Sequence, residues 1–231
     1  MKEHLILFSG PMVRAILDGR KTQTRRVVKG IPSDAEDVFW WTPEGGVARP
    51  GWADPGVYYR TPRGLNCIRP PWRVGDKLWV RETWQTKPTQ YCVCPQPSEP
   101  SPCDAYTRGI GCQSGERQVA YAASGDKAPC WRPSIHMPRW ASRITLEVTG
   151  VRAERLREIS EEDAKAEGAE SASDPRDRVV YDSGGNASYC PVSSYVFGFE
   201  YLWDSLNAAR GYGWDANPWV WVIEFKREVA R

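Results

Sequence analysis

A lysine, two threonines and three arginines stand close together in residues 19–26, which read GRKTQTRR. A lysine amine whose pKa is lowered can take a proton from a threonine hydroxyl, so Lys21 and Thr24 have the residue types of a base and a nucleophile. Residues three apart in a regular strand face opposite sides, so these two converge only if the chain bends just after Gly19. From spacing alone, a basic surface strand is the simpler interpretation.

Glu167 is a carboxylate in the last turn of a short predicted helix, directly before Gly168. A negative charge at a helix C-terminus opposes the helix dipole by about 0.3–1 kcal/mol, so Glu167 is better placed beside a cation such as Lys21. A Lys–Glu pair in a partly dry site would titrate as a coupled pair. Taken alone, however, the position of Glu167 favours an ordinary surface glutamate.

The chain has twelve tryptophans, which is many for 231 residues. Most are expected to pack in the core or at its rim, but an exposed one could stack on a nucleobase, which contributes about 1–3 kcal/mol per base. Trp84 is the first candidate because it ends a predicted strand. His136 lies between Pro133 and Pro138, where it could contact a ligand or bond to the backbone, and the second role is the more usual one for a lone histidine.

Four of the seven cysteines are crowded into one stretch of the chain: Cys92, Cys94, Cys103 and Cys112. Four thiolates can hold zinc tetrahedrally, but the usual structural site has two close pairs of cysteines and this stretch has one. The pattern leaves two interpretations open, a structural zinc site or free, partly buried thiols in an irregular insert. Neither histidine of the chain lies in a recognisable motif for a catalytic zinc.

The composition is that of an ordinary globular protein, with 41% hydrophobic and 26% charged residues. No apolar run approaches the roughly 18 residues of a membrane helix, and residues 5–8 are too short for a signal-peptide core. We therefore expect a cytoplasmic protein with reduced cysteines and no membrane partner. The formal net charge of +2 excludes a broadly basic nucleic-acid surface, although the first 30 residues carry seven basic and only two acidic side chains.

Hydrophobic patterning predicts the elements that must position these residues. Strands are predicted at residues 5–8, 22–28, 77–84, 118–122, 144–151 and 219–226, and helices at 9–19, 160–168 and 195–207. Three inserts interrupt them, at about 29–73, 85–117 and 169–192; the first is expected to form an ordered hairpin held by aromatic burial, and the third a polar loop. This order predicts a single α+β domain over residues 1–231, built as a small, mostly β barrel or sheet with helices at its ends.

Two motifs give the sequence a likeness to a known family. The chain resembles the ASCH domains of the PUA-like superfamily, especially their larger phage and prophage members, in ILDGRKTQTRR (residues 16–26) and GDKLWVRETW (residues 75–84). Further matching stretches lie at residues 134–143, 159–168 and 220–226. The resemblance implies a small, mostly antiparallel PUA-like β-barrel with flanking helices and a cleft suited to RNA, nucleosides or modified bases.

Small bacterial members of this family include N(4)-acetylcytidine amidohydrolases, which have a catalytic lysine and threonine in the first motif and a glutamate near the end of the following short helix. The matching positions are Lys21, Thr24 and Glu167. The resemblance therefore favours catalytic roles for all three over the simpler interpretations of a surface strand and a surface glutamate. It implies hydrolysis of the acyl group on the exocyclic amine of an N(4)-acylcytidine-type modified nucleoside. Thr24 is then the nucleophile and Lys21 the base, and Glu167 orients Lys21 and passes a proton to the departing amine. This chemistry needs no cofactor.

Four further residues are expected to bind the substrate: Arg26, Arg81, Trp84 and His136. Arg26, Arg81 or a backbone N–H could hold the oxyanion, and the sequence does not choose between them. Two other functions stay open, because a fold alone does not determine function. The cleft could bind RNA, single-stranded nucleic acid or a modified base, or cleave RNA. The inserts, which make this chain about twice as long as the small enzymes, could serve phage assembly or contact with the host.

Overall fold

The computed structural model describes residues 1–32, 35–41, 55–86, 119–128, 130–173, 179–181, 187–189 and 193–228. The four cysteines considered as zinc ligands lie outside these ranges: Cys92, Cys94, Cys103 and Cys112. Within the described ranges, no group of three or more histidine, cysteine or carboxylate side chains is placed to hold a metal ion. No helix in this part of the chain is both long enough and apolar enough to cross a membrane.

The described elements confirm the α+β class. The strands are β1 (Glu3–Leu7), β2 (Gln23–Val27), β3 (Glu36–Trp41), β4 (Gly56–Thr61), β5 (Gly64–Ile68), β6 (Lys77–Arg81), β7 (Trp84–Thr86), β8 (Val119–Tyr121), β9 (Thr145–Arg155), β10 (Ala172–Ser173), β11 (Val179–Tyr181), β12 (Ala187–Tyr189), β13 (Ser193–Ser194) and β14 (Trp219–Arg227). The α-helices are α1 (Gly10–Leu17), α2 (Glu161–Ala166) and α3 (Tyr195–Asn207).

Five strands form the main sheet, in the order β1-β6-β9-β14-β2. The outer pair β1 and β6 is parallel, and every other pair is antiparallel. Among the described strands, β1 and β2 are the two edges and do not pair with each other, so closure into a barrel is not confirmed. The adjacent residues Val222 and Ile223 of β14 belong to two different buried clusters, one with α2 and α3 and one with α1. Because neighbouring strand residues face opposite sides, helices cover both faces of the sheet.

Helix α1 begins and ends where the sequence predicts. Ser9 is its N-cap residue, a proline lies in its first turn, and Gly19 follows in the left-handed conformation with φ 74°. Both Arg20 and Lys21 then donate backbone hydrogen bonds to the Ala15 carbonyl, at 2.9 and 3.0 Å. The chain therefore bends sharply after Gly19, which is the bend that the chemistry of Lys21 requires.

The predicted strand at residues 77–84 is in fact two strands, β6 and β7. Glu82 lies between them and is buried, with both carboxylate oxygens bonded to the Arg143 guanidinium at 2.9 and 3.0 Å. After this ion pair the chain leaves the main sheet, and β7 pairs with β8 instead. A bidentate arginine–carboxylate pair has defined geometry, so it sets the direction in which the chain leaves.

The first insert forms the predicted aromatic hairpin, extended to a three-stranded sheet in the order β3-β4-β5. It packs on the main sheet through Trp40, whose ring meets that of Trp221 edge-on at 5.7 Å between centroids. The prediction of a loop for the third insert is wrong in part, because β11 and β12 pair there as a short hairpin. The β-branched and aromatic residues of β11 explain this local strand.

Candidate active site

Backbone hydrogen bonds hold Lys21 between α1, α2 and β14. The N–H of the next residue, Thr22, donates to the Ala166 carbonyl of α2 at 2.8 Å, and the Thr22 carbonyl accepts from Phe225 of β14 at 2.8 Å. The lysine thus lies where the end of one helix, the end of another and the sheet meet. Such a position leaves its side chain little freedom.

A glycine makes this close approach between α1 and α2 possible. Gly168 follows α2 with φ 78°, and a Cβ there would lie 3.0 Å from the Ala15 Cβ and 3.1 Å from the Lys21 Cβ. Both the backbone conformation and the space exclude a larger residue without local shifts. The pattern Glu167–Gly168 is therefore part of how Lys21 is packed.

Lys21 and Glu167 form a buried ion pair. The lysine side chain is 0% exposed, and its Nζ donates to Glu167 Oε2 at 2.7 Å and to the Glu167 carbonyl at 2.6 Å. The carboxylate that opposes the dipole of α2 therefore has the cationic partner that its position requires. The structure brings together two of the three residues expected to be catalytic.

Burial lowers the pKa of the Lys21 amine, because the charged form loses its hydration. The Glu167 carboxylate opposes this shift, whereas the positive charges of Arg26 and Arg25 add to it. A lysine with a lowered pKa is partly neutral at a lower pH, and a neutral amine can accept a proton. The electrostatics of the pocket therefore suit Lys21 to act as a base.

Thr24 lies on β2, three residues after Lys21, and is only 1% exposed. The Lys21 amine gives both of its hydrogen bonds to Glu167, so no described contact joins it to the Thr24 hydroxyl. Thr24 and Arg26 alternate with Arg25 along the strand and so project from the same side of it. Catalytic hydrogen bonds are often absent before substrate binds, so this separation is compatible with a nucleophile and base pair.

Arg26 shares an aromatic neighbour with the lysine. The Arg26 guanidinium carbon and the Lys21 Nζ lie 5.4 and 5.5 Å from the centre of the Phe8 ring. Arg26 also donates to the Leu7 carbonyl at 3.0 Å, directly before Phe8 in the chain. Both cations therefore lie near one aromatic ring, and the positive charge of Arg26 acts on the Lys21 amine.

Arg81 ends β6 alongside Leu7 of β1, and its carbonyl accepts from the Phe8 N–H at 3.2 Å. Its side chain donates to the Ile135 carbonyl at 2.7 Å, while its Nε is buried without a partner among the described residues. His136 follows Ile135 and is exposed. Arg81 and His136 therefore adjoin one another at the carboxyl end of the β1–β6 pair, next to Phe8.

Trp84 lies apart from this group in a buried cluster with Met137 and Ala141. Its side chain is 2% exposed, and the Trp140 ring meets it edge-on at 5.8 Å between centroids. A ring covered in this way offers no face to a nucleobase in this conformation. The neighbouring Trp140 is the more exposed of the two.

Sequence reasoning missed Arg25, although it completes the site. Its Nη1 donates to Glu167 Oε1 at 3.3 Å, the oxygen that Lys21 does not use. Residues 23–27 alternate between two sides of β2, so one arginine of the Arg25–Arg26 pair had to face the side covered by α2 and α3. That alternation was the available signal, but it does not say which arginine meets Glu167.

Comparison of the chain with protein-family models, curated proteins and solved structures gave no match.

Proposed function

We propose that the chain is an amidohydrolase that removes an acyl group from the exocyclic amine of an N(4)-acylcytidine-type modified nucleoside, and that its sheet is a variant of the PUA-like barrel of ASCH domains. The observation that carries the proposal is the fully buried Lys21 amine, held by Glu167 and lying beside Arg26. This amine, whose pKa is lowered, and the buried Thr24 hydroxyl of β2 supply the base and the nucleophile that amide cleavage needs. The two sequence motifs supply the substrate class.

In the first half-reaction, neutral Lys21 takes the proton of the Thr24 hydroxyl as its oxygen attacks the acyl carbonyl. Arg26 stabilises the oxyanion that forms, since its contacts with the Leu7 and Arg25 carbonyls use only two of its five N–H groups. The C–N bond then breaks, and the proton passes from Lys21, with Glu167 as its hydrogen-bonded partner, to the departing amine. The products are the deacylated cytidine nucleoside and an acyl ester on Thr24.

In the second half-reaction, water gives a proton to Lys21 and its oxygen attacks the ester carbonyl. The ester bond breaks, the threonine oxygen recovers a proton from Lys21, and the carboxylic acid leaves. Lys21 is thereby neutral again, so the cycle consumes only water and the acylated nucleoside. Glu167 keeps the lysine oriented throughout.

The test is to incubate the purified protein with N(4)-acetylcytidine and with its deoxy form, and to follow release of the free nucleoside by absorbance. Lys21→Ala should abolish turnover, and Lys165→Ala is the matched control because that lysine is exposed on α2. Turnover that survives in Lys21→Ala would contradict the mechanism. A folded wild-type protein with no turnover would contradict the proposed reaction, and binding of RNA and of modified DNA at two salt concentrations would then test the nucleic-acid alternative.

A further inference from the structure

Arg25 is a buried arginine that contacts three carboxylates at once. Its side chain is 0% exposed. Its guanidinium donates to Glu154 at 3.1 Å, to Asp163 at 2.9 Å and to Glu167 at 3.3 Å. These carboxylates come from β9, from α2 and from the residue that follows α2, so Arg25 ties both elements to its own strand, β2.

A second arginine shares part of this network but does not reach the active site. Arg152 donates to Glu154 at 3.1 Å and to Asp163 at 2.7 Å, and it also pairs with Glu224. It has no described contact with Glu167. The two arginines therefore share Glu154 and Asp163 as hydrogen-bond partners. Of the two, only Arg25 also bonds to Glu167, the carboxylate that holds Lys21.

The two oxygens of Glu167 have separate partners. Oε2 faces Lys21 and Oε1 faces Arg25, so the carboxylate plane is set from both sides. A lysine that works as a base must spend part of each cycle neutral, and without Arg25 the Glu167 carboxylate would then be buried with no cation bonded to it. Such a group is strongly unfavourable. Arg25 remains paired with it in that state.

We propose that Arg25 is a positioning residue of the reaction: it fixes the Glu167 carboxylate so that Oε2 faces Lys21, and it balances the charge of that carboxylate when Lys21 has given up its proton. This inference deepens the proposed function and rests on it for the identity of the reaction. The ion-pair coupling between Arg25, Glu167 and Lys21 rests on the described contacts alone.

The charges around the Lys21–Glu167 pair determine whether removal of Arg25 raises or lowers the pKa of Lys21. The charged groups that face the Lys21–Glu167 pair and its network come from four elements: Arg26 on β2, Arg152 and Glu154 on β9, Asp163 on α2 and Glu224 on β14. Without the Arg25 charge, Glu167 keeps Lys21 as its one hydrogen-bonded cation among the described residues, and the nearby Glu154 and Asp163 lose one of their two arginine partners. Both changes favour the protonated lysine, so the pKa of Lys21 must rise.

The experiment compares Arg25→Gln with Arg152→Gln, in pH profiles of kcat and KM for N(4)-acetylcytidine hydrolysis. For Arg25→Gln we expect the acid limb of kcat to move upward by about one pH unit, which lowers kcat about tenfold at pH values on that limb because fewer molecules carry a neutral lysine, with KM changed less than about threefold. Arg152→Gln should move the limb far less. Equal shifts in the two variants, or an effect of Arg25→Gln on KM alone, would overturn the positioning role.

Arg25→Lys covers the case in which Arg25→Gln does not fold, because it keeps the positive charge and loses the planar fork. Its acid limb should lie nearer to that of the wild type than the limb of Arg25→Gln does, while its plateau kcat should be reduced because a point charge does not orient the carboxylate. An Arg25→Lys variant identical to the wild type in both limb and plateau would overturn the inference.

A measurement without substrate separates this inference from the proposed reaction. The Cε resonance of Lys21 in protein labelled with 13C-lysine, assigned through Lys21→Arg, reports the pKa of the amine directly. If Arg25→Gln or Arg25→Lys raises this pKa although no nucleoside is hydrolysed, the coupling stands and the proposed reaction fails. If the wild type hydrolyses the nucleoside and the pKa of Lys21 is the same in all variants, the reaction stands and the positioning role fails.

Discussion

At the scale of single residues, the proposed nucleophile can be removed without disturbing its surroundings. Thr24 is buried on β2, and valine has almost the same shape and the same preference for strands. We therefore expect Thr24→Val to abolish turnover, while the free energy of unfolding falls by only about 0.5–1.5 kcal/mol, the usual net contribution of one hydrogen bond. Thr24→Ser, which keeps the hydroxyl, should retain measurable kcat. Urea denaturation and nucleoside assays on both variants check this, and turnover in Thr24→Val would exclude Thr24 as nucleophile.

The Lys21–Glu167 ion pair predicts that removing the lysine and removing the glutamate have different effects on the free energy of unfolding. Lys21→Met removes a desolvated cation and leaves Glu167 paired with Arg25, so the free energy of unfolding should change little. Glu167→Ala leaves Lys21 without a counter-ion and should cost about 3–5 kcal/mol. Chemical denaturation of both variants at neutral pH measures the contrast. Equal losses of stability would show that the carboxylate is not the main partner of the lysine.

The lowered pKa of Lys21 also predicts how stability varies with pH. Below the folded-state pKa both states bind the proton, and the cost of burying the charge is fully present. Between that pKa and the ordinary value of 10.5, the unfolded state binds more protons, so the free energy of unfolding rises with pH. The free energy of unfolding of the wild type should therefore increase relative to that of Lys21→Met as pH rises through this window. Denaturation curves recorded at several pH values measure this difference. A flat difference would mean that Lys21 has an ordinary pKa in the folded protein.

At the scale of elements, the packing of α1 against the end of α2 predicts a difference between two glycines. Gly168 and Gly19 have similar φ values, 78° and 74°, but a Cβ at Gly168 meets Ala15 and Lys21, whereas one at Gly19 meets nothing within 4 Å. Both alanine variants bear the cost of the left-handed conformation, roughly 1 kcal/mol, but Gly168→Ala also displaces Lys21. We expect kcat to fall at least tenfold in Gly168→Ala and to stay within about threefold in Gly19→Ala. Similar kcat values in the two variants would show that the contact does not position the lysine.

The same scale shows what local sequence can and cannot predict. The helix at residues 9–19, the bend at Gly19 and the strands beside it follow from capping, glycine and alternation, all of which act within a few residues. The split of residues 77–84 depends on Glu82 meeting Arg143, which is 61 residues away in the chain. The burial of Trp84 and the contact between Arg25 and Glu167 are of the same kind. Such contacts are decided by tertiary packing, which no local pattern encodes.

At the scale of the whole molecule, the second insert begins and ends at one place in the fold. Thr86 of β7 pairs directly with Val119 of β8, so the chain enters and leaves residues 87–118 at neighbouring positions of an antiparallel pair. A two-residue Asn-Gly turn can close such a pair. We therefore expect a variant in which this turn replaces residues 87–118 to fold and to keep kcat for N(4)-acetylcytidine within about threefold, because Lys21, Glu167 and Arg25 are held by other elements.

The same pair of proteins tests the zinc hypothesis for the cysteine group, since the replaced residues include Cys92, Cys94, Cys103 and Cys112. Elemental analysis of both proteins, purified without chelator, should give one zinc per full-length chain and none in the shortened one if the four thiolates form a structural site. Equal metal content would exclude that site. Because a structural zinc organises only the segment that binds it, its loss should leave the activity of the shortened protein unchanged. If the shortened protein folds but loses turnover, residues 87–118 belong to the active site, and the cleft cannot be described by the main sheet and its helices alone.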